Sequence, residues 1–125
     1  MSIAVKRVYE PPAPDDGARV LVDRLWPRGV SKEAAHLDRW SKDVAPSTEL
    51  RTWFHHEPDR FAEFERRYRA ELAGSPAVAE LAALGAGDAR LTLLYSARDT
   101  EHNHALVLRD VLLHYRDETA SGSGA

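Results

Sequence analysis

The stretch LVDRLWPRGVSK, residues 21–32, carries side chains that could do chemistry directly after an apolar run. Arg24 and Arg28 lie four residues apart across a Pro-Gly bend, and a guanidinium binds a carboxylate or phosphate through two parallel hydrogen bonds. Asp23 could orient one of these arginines or neutralise it, and Trp26 could wall off a pocket or stack on a guanidinium. These types and spacings predict recognition of an anion. The alternative is an internal network of ion pairs that fixes a strand end beneath a core tryptophan.

A second polar cluster, SARDTEHNH, follows another apolar run. Arg98 supplies a fixed cation there, and Asp99 or the threonine after it can cap a helix that begins at this point. The first turn of a helix has unpaired N–H groups and a partial positive charge, so it attracts anions. We expect His102 and Asn103 in that first turn, with Asn103 as a ligand-binding residue. If the site is catalytic, His102 is the expected acid or base, because imidazole titrates near neutral pH.

Other patterns argue against several kinds of site. His102 and His104 are two residues apart, which places them about 200° apart around a helix and prevents them from sharing a metal ion easily. His55-His56-Glu57 matches neither the zinc motif H-E-x-x-H nor a facial triad. The chain has no cysteine, no Walker loop, no G-x-S-x-G elbow and no G-x-G-x-x-G motif. We therefore expect neither a metal nor a cofactor.

The two polar clusters follow segments that are predicted to be strands. Residues 2–9 alternate roughly and predict an opening strand, at an edge of the sheet. Residues 19–25 contain an unbroken apolar run typical of a strand buried on both faces of a parallel sheet, and 90–97 predict a similar strand. Ligands bind beyond the carboxyl ends of such strands. We therefore expect the clusters at 23–28 and 96–104 to meet at one edge and form a composite site.

In most of the remaining chain, the apolar residues recur at the spacing of a helix. Pro58 precedes a helix whose spacing turns Phe61, Phe64 and Tyr68 towards the core. Strands before, between and after helices predict an α/β fold, with a partly parallel sheet flanked by helices. Further helix starts are predicted from the capping residues Ser31, Ser47 and Ser75 and from the second polar cluster.

Length and composition limit the protein's class. The 125 residues predict one domain, residues 1–118, followed by a flexible tail at 119–125 that ends in SGSGA. The 17 Lys and Arg are outnumbered by 20 Asp and Glu, which argues against nonspecific binding to nucleic acid. The segment MSIAVKRVYE predicts neither a signal peptide nor a membrane span, and with the lack of cysteine it suggests a cytoplasmic protein. The sequence is compatible with a homo-oligomer.

Three segments together resemble a known family. RVYEPPAPDDGARVLVDRLWPRGVSKE, the W and K of DRWSKDVAPSTELRTWFHH, and LTLLYSARDTEHNHALVL are similar to the YeaO-like branch of the domain-of-unknown-function 488 family, over residues 3–116. The resemblance implies a small bacterial or archaeal α/β protein with a shared site, and no reaction type. The family pattern leads us to expect asparagine at His104, so the resemblance assigns no role to that histidine.

These observations leave three classes of function. The favoured one is a small-molecule binder or modest enzyme that recognises a phosphate or carboxylate. The second is a protein-interaction or regulatory module in which the arginines pair internally. The third is a nucleic-acid binder that would use the arginines at 60, 66, 67 and 69, although interleaved glutamates weaken that stripe.

Overall fold

A computed structural model describes residues 2–86 and 90–123, with side chains described as far as Tyr115. Its centre is a sheet in which every observed pairing is parallel, in the order β1-β4-β2-β3. This confirms a small α/β domain, and the sheet is more fully parallel than predicted. The strands in the described part of the chain are β1 (Ser2–Arg7), β2 (Ala18–Leu21), β3 (Arg39–Trp40) and β4 (Arg90–Tyr95).

The helices begin close to the predicted capping residues. Ser31 Oγ accepts a hydrogen bond from the N–H of Ala34, and Ser47 Oγ accepts one from Leu50, so both serines are N-caps. The helices of the described residues are α1 (Lys32–Ala35), α2 (Thr48–Phe54), α3 (Phe61–Leu72), α4 (Pro76–Leu84) and α5 (His104–Ser123).

Alternate residues of the central strands face opposite sides of the sheet. Val20 and Leu93 pack against the helices of the main core, whereas Leu21 and Leu94 pack into a smaller cluster on the other side. The main core also includes Phe64, Tyr68, Leu81, Leu108 and Leu112. Because both faces are covered, β2 and β4 are buried after their first residues, as their unbroken apolar runs predicted.

Strand β2 is shorter than the predicted 19–25. The backbone N–H of Val22 still bonds to the Leu94 carbonyl at 3.0 Å, but the chain then leaves the sheet. The carbonyl of Asp23 accepts a hydrogen bond from the Trp40 indole at 2.7 Å instead of from a strand. An early strand end frees the side chain of Asp23 to face the region beyond the sheet.

The predicted tail at 119–125 falls on residues whose side chains or placement lie outside the described structure. The backbone of α5 continues to Ser123. The domain boundary at residue 118 therefore stays a prediction. Among residues 2–86 and 90–123, no helix combines the length and apolar character needed to cross a membrane.

A buried ionic cluster supports the turn that leads into β2. Asp16 accepts hydrogen bonds from Lys6, Arg19 and the backbone of Ala13, and Arg19 donates to the Ala35 carbonyl at 2.8 Å. Burial by itself raises the pKa of Asp16, but the backbone donor and the two cations outweigh it and lower that pKa below its ordinary value. The cluster joins β1, β2 and α1.

Gly17, between this cluster and β2, should tolerate no side chain. Its φ is +66°, and a Cβ atom there would lie 2.1 Å from the Arg90 carbonyl oxygen. Gly29 has a φ of +79°, but a Cβ atom there would have no neighbouring atom within 4 Å, so it is the matched control. Gly29→Ala should cost about 1–2 kcal/mol of unfolding free energy from backbone strain. Gly17→Ala should cost more than about 3 kcal/mol in urea unfolding, and equal losses would contradict the steric argument.

Candidate functional site

A cavity of about 770 Å³ opens beyond the carboxyl ends of β2 and β4. One part of its wall is formed by the segments that follow these strands, and another by the C-terminal end of α2. The volume falls within the range of small-molecule sites. The polar residues that line it are Asp23, Arg24, Arg51, Thr52, His55, His56, Ser96, Arg98, Asp99, His102, Asn103 and His104.

Asp23 joins the ends of the two strands. Leu21 is the register partner of Leu94, so the chain two residues further on places Asp23 beside Ser96. Asp23 Oδ2 accepts hydrogen bonds from the Ser96 backbone N–H at 3.0 Å and from Ser96 Oγ at 2.6 Å. The Ser96 hydroxyl therefore donates to a carboxylate and is already engaged.

His104 completes the surroundings of Asp23. Its Nε2 lies 3.1 Å from Asp23 Oδ1 and 3.1 Å from the Val22 carbonyl oxygen, and only the contact with Val22 is aligned as a hydrogen bond. Burial raises the pKa of Asp23, but the contact with His104 and the two donors of Ser96 outweigh burial. The pKa of Asp23 is therefore below its ordinary value, and the carboxylate is ionised at neutral pH.

Asp99 organises the turn before α5. Its Oδ1 accepts hydrogen bonds from the backbone N–H groups of Glu101 at 2.9 Å and His102 at 3.0 Å, and its Oδ2 lies 2.9 Å from His102 Nδ1. These contacts, the Glu101 N–H foremost, lower the pKa of Asp99. The contact at Nδ1 fixes the orientation of the His102 ring.

The start of α5 differs from the prediction. The N-cap is Asn103, whose Oδ1 accepts from the N–H of Leu106 at 3.1 Å, while its Nδ2 donates to the Asp99 carbonyl at 3.0 Å. Asp99 caps its own turn and not the helix, and His102 precedes the helix. The premise that His102 and His104 both lie on one helix was therefore wrong. Asn103 lines the cavity, but its side-chain groups bond to the backbone.

The arginines of the two clusters have different surroundings. Arg24 donates to the carbonyls of Pro46 and Ala45 at 3.3 Å each, so its guanidinium is tethered at the cavity wall. Arg98 is exposed at the cavity, and its guanidinium has no polar partner among the described residues. The structure thus brings Arg98 to the same cavity as Asp23 and Arg24.

Arg28 and Trp26 are not among the residues that line the cavity. The Trp26 indole donates to the Val30 carbonyl at 2.6 Å, and its ring packs edge-on against Trp40 with centroids 5.3 Å apart. Both tryptophans pack against the smaller core cluster, on the sheet face opposite the main core. Arg28 is exposed at the surface. The bend after β2 therefore separates the predicted group: Asp23 and Arg24 line the cavity, whereas Trp26 and Arg28 do not.

The cavity residues to which the sequence analysis assigned no site role include Arg51, His55, His56 and His104. Arg51 is exposed at the cavity, and its guanidinium has no polar partner in the described part of the chain. His55 and His56 end α2 with φ angles of +47° and +53°, a left-handed conformation that is uncommon for residues other than glycine. Their position at a helix end was predictable, but the packing of Phe54 on Phe64, which directs that end to the cavity, was not.

Within residues 2–86 and 90–123, no group of acidic and histidine side chains is arranged to hold a metal ion.

Comparisons with known proteins identify relatives over most of the chain. A family model described as "Inactive DUF488-N3 subclade" matches residues 2–125. The uncharacterized protein YeaO of Escherichia coli strain K12 is 52% identical over 112 residues, which cover 90% of this chain and 97% of that protein. The uncharacterized protein Rv3073c of Mycobacterium tuberculosis strain H37Rv is 50% identical over 110 residues, 88% of this chain and 92% of that one. No solved structure matches.

Asp23→Asn tests the strand-end contact through its pH dependence. Because folding lowers the pKa of Asp23, its carboxylate stabilises the fold above the unfolded-state value near 4, and this contribution is lost as the pH falls through the folded-state pKa. We expect the variant to lose about 1–3 kcal/mol at pH 7 in urea unfolding, and the difference from wild type to shrink as the pH falls below about 4 and through the lowered folded-state pKa. Asp15→Asn, at an exposed carboxylate, should change stability by less than about 0.5 kcal/mol. A difference for Asp23→Asn that is constant with pH would contradict this role.

Proposed function

We propose that this chain, which belongs to the DUF488 family and within it to the subclade described as inactive DUF488-N3, binds a small organic anion in its cavity without converting it. One observation carries the proposal. The acids that line the cavity in the described structure, Asp23 and Asp99, are engaged by internal partners, whereas the guanidinium groups of Arg51 and Arg98 have none. The cavity therefore offers unused donors for an anion.

The balance of charge in the cavity supports an anionic ligand. Among the described lining residues, three arginines face two carboxylates, and the histidines can add positive charge but no negative charge. An arginine without a partner offers two parallel N–H donors, the geometry that a carboxylate or phosphate accepts. A module whose arginines serve only the scaffold would account for the tethered Arg24 but not for Arg51 and Arg98.

The arrangement around Ser96 favours binding over nucleophilic catalysis. Its hydroxyl donates to Asp23, and no histidine is placed to take its proton: His104 Nε2 instead faces the Val22 carbonyl. An activated serine needs a base within hydrogen-bonding reach of its hydroxyl. The description of the subclade as inactive agrees with a site that recognises a ligand and releases it unchanged.

One observation favours a modest enzyme as the second candidate. His102 is held at Nδ1 by Asp99 at 2.9 Å, the arrangement by which carboxylates orient catalytic imidazoles. In that case His102 would transfer protons to or from the bound anion through its other nitrogen. Chemical change of a bound compound, abolished in His102→Gln, would favour the enzyme over the binder.

Arg98→Gln and Arg51→Gln test the proposed binding site, with Arg28→Gln as the matched control. Arg28 is also exposed but does not line the cavity. A panel of phosphate monoesters and carboxylates is added at constant ionic strength, and unfolding is followed thermally. A binder at a hundred times its dissociation constant should stabilise the wild type and Arg28→Gln by about 2.7 kcal/mol, and the two cavity variants by much less. No response in the wild type, or the same response in all three variants, would contradict the proposal.

A further inference from the structure

We infer that the anion is an amphiphilic one, a carboxylate or phosphate monoester carried on an apolar body of at least the size of one ring. This inference rests on the proposed function and adds the ligand's class to it. It excludes a bare inorganic ion and a small polar acid as the preferred ligand.

The volume of the cavity is the first argument. At about 770 Å³ it lies in the upper part of the range that holds organic ligands of many heavy atoms. An ion with four or five heavy atoms would touch the arginines on one side only. Most of the cavity would then remain filled with water, and the walls would add nothing to its affinity.

The composition of the wall is the second argument. Five apolar residues line the cavity together with the charged ones: Ala45, Pro46, Phe54, Phe64 and Ala97. Ala45, Pro46, Phe54 and Phe64 are buried and Ala97 is half-buried, so the apolar surface that each of them exposes is small. A ligand's apolar part that covers this surface stabilises the complex. Such a wall does not favour a ligand made only of charged and polar groups, because it offers that ligand no hydrogen bond.

The arrangement of the rings beside the cavity is the third argument. Phe54 stacks on Phe64 with centroids 4.4 Å apart, and the ring of His56 lies 6.1 Å from that of Phe54. The His102 ring packs edge-on against Phe61 at 5.4 Å. The imidazoles at the cavity are thus continuous with an aromatic cluster, and a ring-sized body can contact them while its anionic group reaches Arg51 or Arg98.

Matched ligand pairs test the inference by isothermal titration calorimetry at constant ionic strength. The pairs are acetate with benzoate and inorganic phosphate with phenyl phosphate, so each pair keeps the type of anionic group, a carboxylate or a phosphate, and its ring-bearing member adds an apolar body. We expect the ring-bearing member to bind the wild type at least about tenfold more tightly in each pair. Arg98→Gln should weaken both members of each pair.

Ala97→Leu tests the apolar wall separately. Ala97 is half-buried at the cavity, and a larger apolar side chain there reduces the space without removing a polar group. We expect at least about fivefold weaker binding of phenyl phosphate and unchanged binding of inorganic phosphate. Ala83→Leu, on the exposed side of α4, is the control and should change neither. The wild-type ligand pairs decide the inference even if Ala97→Leu does not fold.

The outcomes separate this inference from the proposed function. If inorganic phosphate and acetate bind as tightly as their ring-bearing partners, the inference is wrong and the anion site stands. If none of the four compounds binds, the proposed function fails with it. If the ring-bearing compounds bind more tightly but neither Arg98→Gln nor Arg51→Gln has an effect, the ring is bound somewhere other than this cavity, and the inference is also wrong.

Discussion

The hydrogen bonds between the Asp23 carboxylate and Ser96 hold together the part of the molecule on which the cavity depends. They join the chain after β2 to the chain after β4 at the point where strand pairing stops. A half-buried carboxylate requires donors, because burial without them favours the neutral acid. Ser96 supplies these donors to Oδ2, and His104 Nε2 lies 3.1 Å from Oδ1, so the sheet edge, the cavity wall and the first turn of α5 meet at one ionised group.

The internal partners of the charged side chains also determine which charges the cavity presents to solvent. Asp23 and Asp99 face inward to backbone N–H groups and histidines, and Arg24 is fixed by two carbonyls. The charges at the mouth are therefore mainly those of Arg51 and Arg98. A wall built in this way has polar groups that position one another, while the guanidinium groups of Arg51 and Arg98 keep unused hydrogen-bond donors.

The sequence predicted those features that depend on local patterns. The apolar runs identified β2 and β4, the serines before α1 and α2 identified helix starts, and the parallel arrangement predicted the meeting of the two strand ends. Whether each predicted site residue acts on a ligand remains a proposal.

The start of α5 was misplaced because aspartate and asparagine are both good N-caps, and only the structure shows that Asp99 bonds within its own turn. Arg28 and Trp26 were grouped with Asp23 because they are close in sequence, which does not reveal the direction of a bend. His104 was given no role because the family pattern led us to expect asparagine there, and only the tertiary fold brings it to Asp23.

The strand order has a consequence for how the molecule can form. Strands β1 and β2 do not pair with each other, and β4 lies between them, so Ser2 finds its partner Arg90 88 positions later in the chain. In a nascent polypeptide, β1 thus has no partner and β2 has only the two-residue strand β3 beside it until the segment that becomes β4 has emerged. Contacts between distant parts of the sequence slow folding, because the entropy of closing a long loop is lost before the contacts form. Until β4 is inserted, the exposed edges of β1 and β2 are open to pairing with other chains, which makes this interval the one in which aggregation competes with folding.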